Sequence, residues 1–394
     1  MPHYLWAVSE LAASESSLLP EPFAGWFAGR GWAPRPHQLD LLARARAGRS
    51  VLLIAPTGAG KTLAGFLPSL TELAGRGKRK AGAARHGIHT LYISPLKALA
   101  VDIERNLGRP VAEMRLAIDI ETRTGDTPQH KRQRQKLAPP DILLTTPEQL
   151  ALLISGPDAG RFFADLRYVV LDELHSLVTS KRGHLLALGL ARLRRLAPGL
   201  QTVGLSATVA EPDALRRWLV PQNGVEGPPG AMADLIAVAG GAKPVVTILD
   251  SAERLPWAGH SARYAIADIY EAIKAHRTTL IFVNTRSQAE FLFQELWRIN
   301  DDTLPIALHH GSLDVSQRRR VESAMEANAL RAVVATSTLD LGIDWGDVDL
   351  VIHVGAPKGA SRLAQRIGRS NHRMDEPSRA ILVPANRFEV LECR

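Results

Sequence analysis

Two groups of residues in this sequence have the types and spacing of phosphate chemistry. The first is Ala55-Pro56-Thr57-Gly58-Ala59-Gly60-Lys61-Thr62, which follows the apolar run Val51–Ile54 and opens a stretch with helical periodicity. Glycines let a loop turn backbone N–H groups toward phosphate oxygens, a lysine adds a point charge for the β- and γ-phosphates, and the hydroxyl after it ligates Mg²⁺. A helix beginning there adds its dipole. Thr57, Gly58, Ala59, Gly60, Lys61 and Thr62 are therefore candidate nucleotide-binding residues; the strict pattern has glycine where Ala55 stands. The second group ends the run Tyr168-Val-Val-Leu-Asp172-Glu173-Leu174-His175. A strand there puts two adjacent carboxylates at its carboxyl end, where ligands bind in parallel sheets. Asp172 suits Mg²⁺ held through water, and Glu173 suits a base that orients and deprotonates an attacking water. Either group alone could be an ordinary loop or a solvated acidic turn; both in one chain, in this order, favour the chemical reading.

The elements that must position these groups are legible as short apolar runs: Val51–Ile54, Thr90–Ile93, Asp141–Leu144, Tyr168–Leu171, Thr202–Leu205, Leu280–Val283, Ala332–Ala335, Leu350–Val354 and Ala380–Val383. They do not alternate polar and apolar, so both faces should be covered, as in the parallel sheet of an α/β fold. Stretches between them, such as Ala265–His276 and Gln288–Arg298, carry helical periodicity. The Pro/Gly-rich stretch Pro221–Gly230, continuing to Gly240-Gly241, separates five runs from four and predicts two α/β domains, 1–240 and 241–394. Asp234–Ala239 reads as one further strand of the first domain. The Gly/Ala/Arg-rich stretch Ala74–His89 is expected to be an exposed loop.

Composition bounds the function. The 394 residues are 45% hydrophobic and 22% charged, an ordinary globular balance. A single cysteine, Cys393, excludes an intramolecular disulfide framework and a cysteine zinc site, and fits a reducing, cytoplasmic setting. No apolar run reaches the ~18 residues of a membrane span, and Met1–Pro20 lacks the basic and apolar regions of a secretory signal. The excess of 48 Lys+Arg over 40 Asp+Glu gives a net charge of +8, compatible with a polyanionic partner without requiring one.

Further segments extend the pattern: Arg35-Pro36-His37-Gln38, Ser94-Pro95-Leu96-Lys97-Ala98-Leu99, Thr122-Arg123-Thr124-Gly125-Asp126-Thr127, Thr145-Thr146-Pro147-Glu148-Gln149 and Ser206-Ala207-Thr208 in the first half. The second half has Ile281-Phe-Val-Asn284-Thr285-Arg286, His309-His310-Gly311-Ser312, Ala335-Thr336-Ser337-Thr338 through Gly342-Ile-Asp344, and Gln365-Arg366-Ile-Gly-Arg369. In this order they resemble the Q motif and motifs I to VI of superfamily 2 DExH-box helicases. Ile343-Asp-Trp-Gly-Asp-Val-Asp349 and Gly368-Arg-Ser-Asn-His372-Arg373 resemble the Lhr group, most closely its bacterial ligase-associated, DNA-damage-response members. Such proteins are about twice as long, with a winged-helix domain and more, so the resemblance implies a core without its C-terminal domains. His372 stands where many helicases carry a third motif VI arginine.

The resemblance implies two tandem RecA-like P-loop domains, ATP and Mg²⁺ as cofactors, and single-stranded DNA as partner, with RNA–DNA hybrid or RNA as alternatives. It further implies 3′→5′ travel, a role in DNA repair beside ligases or nucleases, and no membrane. Arg35 and Gln38 would read adenine, and Gly342 and Asp344 would touch the nucleotide. His175, Ser206, Ala207 and Thr208 would couple the two sites. Lys61, Asp172, Glu173, Gln365, Arg366 and Arg369 would be the catalytic set, with Thr62 and Asp172 holding Mg²⁺. Arg366 and Arg369 are one helical turn apart, so one face could present both to a γ-phosphate, and an arginine finger is worth ~10³–10⁵ in rate. Ser94, Pro95, Leu96, Lys97, Arg123, Thr124, Gly125, Asp126, Thr146, Pro147, Glu148, Asn284, Thr285, Arg286, His310, Gly311, Thr336, Ser337 and Thr338 would grip a strand through phosphate and sugar, without reading sequence. The basic runs Lys78–Lys80, His130–Lys136 and Arg318–Arg320 are further candidates. Aromatic residues are 5% of the chain, and the sequence places none on the strand. Three rivals stay open: an RNA remodeller, a clamp that binds without turnover, and a P-loop ATPase indifferent to nucleic acid.

Overall fold

The computed structural model describes residues 18–56, 58–76, 87–207, 209, 211–222, 230–238, 242–259, 261–339, 348–357, 359–371 and 376–393. The chain divides into two compact units, Met1–Ala239 and Gly240–Arg394.

The first unit is built on a seven-stranded sheet in the order β3-β4-β2-β5-β6-β1-β7. Its strands are β1 (Val51–Ile54), β2 (Thr90–Ile93), β3 (Ile120–Arg123), β4 (Ile142–Thr145), β5 (Tyr168–Leu171), β6 (Gln201–Ser206) and β7 (Asp234–Ala237). Every pairing is parallel, as unbroken apolar strands covered on both faces predict. β1 lies between β6 and β7, and β5 between β2 and β6, so the loop after β1 and the carboxylates after β5 leave the same edge of the sheet with β6 between them.

The second unit has six parallel strands in the order β10-β11-β9-β12-β13-β8. They are β8 (Val245–Ile248), β9 (Thr279–Phe282), β10 (Ile306–His309), β11 (Ala332–Ala335), β12 (Leu350–Val354) and β13 (Arg379–Val383). Alternate residues of β9 and the residue after it feed opposite cores: Ile281 and Val283 pack with Ile269, Leu292 and Ile352, whereas Leu280 and Phe282 pack with Met325, Val333 and Val351.

The architecture is the expected one, two parallel sheets flanked by helices. Three strands have no counterpart among the apolar runs: β3, β8 and β10. All three are edge strands, and an edge strand can carry polar or exposed side chains that a central one cannot. β3 reads Ile-Glu-Thr-Arg; its Thr122 Oγ1 donates to Glu104 Oε2 at 2.7 Å, and its Glu121 accepts from Gln135 Nε2 at 2.8 Å. Among the described residues no helix is long and apolar enough to cross a membrane.

Candidate nucleotide site and strand-contact segments

The loop after β1 is shaped by the side chains that open the helix Pro36–Arg46. Arg35 Nη1 donates to Gly58 O at 3.0 Å, His37 Nε2 bonds Ala59 O at 2.8 Å, and Gln38 Nε2 donates to Gly60 O at 3.4 Å. Three consecutive carbonyls are thus drawn to one side. A trans peptide points C=O and the following N–H in opposite directions, so the amides of Gly60 and Lys61 face away from those side chains, while the Ala59 amide donates to Pro56 O at 3.3 Å. Gly58 and Gly60 have φ of 74° and 73°, in the left-handed region. A Cβ on Gly60 would lie 2.8 Å from Gln38 Nε2, the movable end of a side chain, so it is the backbone angle that favours glycine here. Lys61 starts the helix Lys61–Gly75 and folds back onto the loop, donating to Ala55 O at 2.8 Å and Pro56 O at 2.9 Å. Thr62 is the helix's second residue. Sequence alone assigns His37 no role; burial holds its imidazole below the usual value, which suits a neutral partner of the loop.

The carboxylates after β5 are buried. Tyr92 on β2 donates its hydroxyl to Asp172 Oδ2 at 2.6 Å, and the Glu173 amide donates to Oδ1 at 2.9 Å. Burial, reinforced by the neighbouring Glu173, pushes the Asp172 carboxyl up to about 6, while the Tyr92 bond and Lys61 oppose the shift. Tyr92 is itself fully enclosed and stacks on Phe66 with ring centres 5.4 Å apart. Glu173 is held at φ 48°, an uncommon conformation for a residue with a side chain and of a kind that collects at functional sites. Its Oε2 is buried without a hydrogen bond, 3.6 Å from His175 Nε2. A buried carboxylate oxygen left free to accept fits a base for a reacting water, and Asp172, Thr62 and Lys61 fit a Mg²⁺-bound phosphate chain. His175 Nδ1 meets Ser206 Oγ at 2.7 Å, joining the end of β5 to the end of β6, and burial lowers its pKa. Ala207 is half-buried beside them. Thr57, Thr208, Gly342 and Asp344 lie outside the described residues, as do Lys78–Lys80, His372 and Arg373.

In the second unit the helix Ala360–Ile367 ends at Gly368, so Arg369 sits on the following turn and not on the helical face expected for it. Arg369 Nε donates to the carbonyl of Gln365 at 3.3 Å. Arg366 is 2% exposed. Its Cζ lies 4.6 Å from the Phe282 ring centre and its Nη1 is 3.1 Å from His353 Nε2.

Of the segments expected to touch a strand, some are surface and some are scaffold. Lys97, Gly125, Asp126, Glu148, Thr285, Arg286, Gly311 and Ser337 are exposed, and Leu96, Asn284, Thr336 and Thr338 half-buried. Lys97 Nζ pairs with Asp126 Oδ1 at 2.9 Å. Ser94, Pro95, Thr124, Thr146, Pro147 and His310 are buried. Arg123 is buried too; its Nη1 donates to Arg132 O at 3.0 Å, which places it under its loop. His309 Nδ1 meets Thr338 Oγ1 at 2.8 Å, and Asn284 Nδ2 donates to Ala356 O at 2.8 Å. Sequence reasoning missed Arg182. It forms a forked ion pair with Glu148, with Nη2 3.0 Å from Oε2, and donates from Nη1 to Pro95 O at 2.6 Å. Arg182 therefore binds the loop after β2 to the start of the helix Pro147–Ile154, and its pairing is the main cause that lowers the Glu148 pKa. No local signal pointed to it, because Glu148 lies 34 residues away in the chain.

Residues 35–215 match the DEAD/DEAH box helicase family and residues 264–374 the helicase conserved C-terminal domain. An ATP-dependent helicase Lhr-Core protein 2 of Thermococcus barophilus is 36% identical over 391 residues, 95% of this chain and 45% of the relative. The chain belongs to the Lhr group of DExH-box helicases. The Lhr helicase/uracil glycosylase of Escherichia coli is 34% identical to this Lhr-group core over 435 residues, 96% of the chain and 28% of the relative. Among solved structures, that of Mycobacterium smegmatis helicase Lhr bound to ssDNA and AMP-PNP superposes with a TM-score of 0.80 at 36% identity, covering 95% of this Lhr core and 49% of that chain. The core thus spans less than half the length of the relatives it matches.

Proposed function

We propose that this chain is the motor core of an ATP-dependent helicase or translocase that acts on single-stranded DNA. The carrying observation is the loop whose carbonyls are drawn aside by Arg35, His37 and Gln38, on the same sheet edge as the buried Asp172–Glu173 pair. The loop amides and Lys61 would hold the phosphates, and Thr62 and Asp172 would hold Mg²⁺, whose charge would offset that of the transferring group. Glu173 takes the proton of the attacking water. Arg369 is the candidate guanidinium for the γ-phosphate, and Arg366, enclosed by Phe282 and His353, supports it. The exposed segments around Lys97, Gly125, Thr285, Gly311 and Ser337 grip phosphate and sugar. The ssDNA and AMP-PNP in the mycobacterial relative support this reading. Travel from 3′ to 5′, a place in DNA repair and a ligase-associated subgroup extend the proposal by resemblance.

ATP hydrolysis measured without nucleic acid and with single-stranded DNA, single-stranded RNA and duplex tests it. Single-stranded DNA should stimulate most, and Lys61→Ala and Glu173→Gln should each lower the stimulated rate by about 10²–10³-fold. Stronger stimulation by RNA would make this an RNA remodeller. Equal turnover under every condition would refute the motor. Strand affinity should fall with salt at a log–log slope near −0.7 per phosphate contact.

A further inference from the structure

β8 and β13 are parallel neighbours, so the segments that follow them leave the same edge of the second sheet. Those segments are bonded together. Asn386 Nδ2 donates to Gly259 O at 2.9 Å, the Arg387 amide to Pro256 O at 3.1 Å, and Arg387 Nε to Leu255 O at 3.3 Å. Between these anchors stands Trp257, 68% exposed, with Arg387 Cζ 4.2 Å from its ring centre. A large aromatic ring is costly to leave in water, and this one is held there by backbone bonds and a guanidinium on its face.

The ring belongs to the edge that carries the strand-contact segments. Asn284, which follows β9, and the helix Arg387–Glu392 both flank Gly355, which follows β12. A Cβ on Gly355 would lie 3.0 Å from Asn284 Nδ2 and 3.9 Å from Glu389 Oε2. Gly355 has φ 91°, a backbone conformation that favours glycine. Asn284, Gly355, the helix and Trp257 follow successive strands β9, β12, β13 and β8, all parallel.

We propose that Trp257 is a stacking platform for an unpaired base of the bound single strand, with Arg387 fixing the plane of the indole. This rests on the functional reading above and adds to it a contact with bases. Every base has a π face, so such a contact grips without selecting sequence, as a motor requires. It also supplies the aromatic contact that the sequence alone could not place.

The test is fluorescence anisotropy of labelled single strands with the 394-residue chain, at several salt concentrations. Trp257→Ala should weaken binding roughly 5- to 100-fold, and Trp257→Phe should retain most of the affinity. The log–log salt slope should not change, because no phosphate contact is lost. A strand with abasic sites should bind wild type and Trp257→Ala alike. Equal affinity of Trp257→Ala and wild type for an ordinary strand overturns the proposal and leaves the exposed ring to a protein partner. A loss that persists on the abasic strand also overturns it. Should Trp257→Ala fail to fold, Trp257→Phe and the wild type decide: a wild type that binds ordinary and abasic strands equally well overturns the proposal. A wild type that binds no strand refutes the functional reading itself.

Discussion

Asp172 in the first unit and Arg366 in the second are both ionisable and both buried, yet they are held in different ways. Asp172 receives two donors, the Tyr92 hydroxyl and the Glu173 amide, and its pKa is pushed up to about 6. Arg366 lies on the Phe282 face and against His353, whose imidazole is driven down to about 4 by burial and by the guanidinium itself. A carboxyl can answer burial by taking a proton; a guanidinium cannot lose one. Around Asp172 the adjustable group is therefore the acid itself. Around Arg366 it is the neighbour: a neutral imidazole offers Nε2 as an acceptor. The buried Arg366 thus keeps the His353 beside it unprotonated.

Acid should separate the two regions. The unfolded imidazole of His353 binds a proton near 6.5, the folded one only near 4. Between those values the folded state binds fewer protons. His353 leaves folding undisturbed above pH 6.5 and destabilises it progressively toward pH 4, by about 3 kcal/mol in all. Urea denaturation of wild type and His353→Gln from about pH 7 to about pH 4 should show a steeper loss in the wild type, by about that amount, because other buried histidines contribute equally to both; matching slopes would break the contrast. A smaller effect is expected at the acid. Tyr92→Phe removes one donor from Asp172 and should lower Mg²⁺-dependent ATP hydrolysis about 10-fold, the scale of a hydrogen bond to a charged group. An unchanged rate across a Mg²⁺ titration would show that the tyrosine merely packs. The smallest effect belongs to a pair in water. Lys97 and Asp126 are 54% and 75% exposed, where an ion pair is worth ~0–1 kcal/mol. Asp126→Asn should tighten single-strand binding about 2-fold at low salt, and the gain should vanish as salt screens it.

The central strands were legible because each is apolar on both faces: β1, β2, β5, β9, β11 and β12 are enclosed almost throughout. β8 was not, because a strand with one neighbour needs only half that cover, and Val245 and Val246 stand exposed. The candidate nucleotide loop could be nominated from sequence because its pattern is local: glycine, lysine and hydroxyl stand at consecutive positions, whereas the bonds from Arg35, His37 and Gln38 that shape it come from another helix.

Chain order alone was enough to determine the parallel sheets and to nominate candidate reacting groups, since apolar runs and short motifs need no distant partner to be recognised. Tertiary structure decided which way each side chain faces. Arg123 and Arg366 turned inward, Arg182 reached Glu148 across 34 residues, and Trp257 was held outward by Arg387 across 130. Burial and long-range pairing arise only when segments far apart in the chain meet, so no local pattern of residue types encodes them.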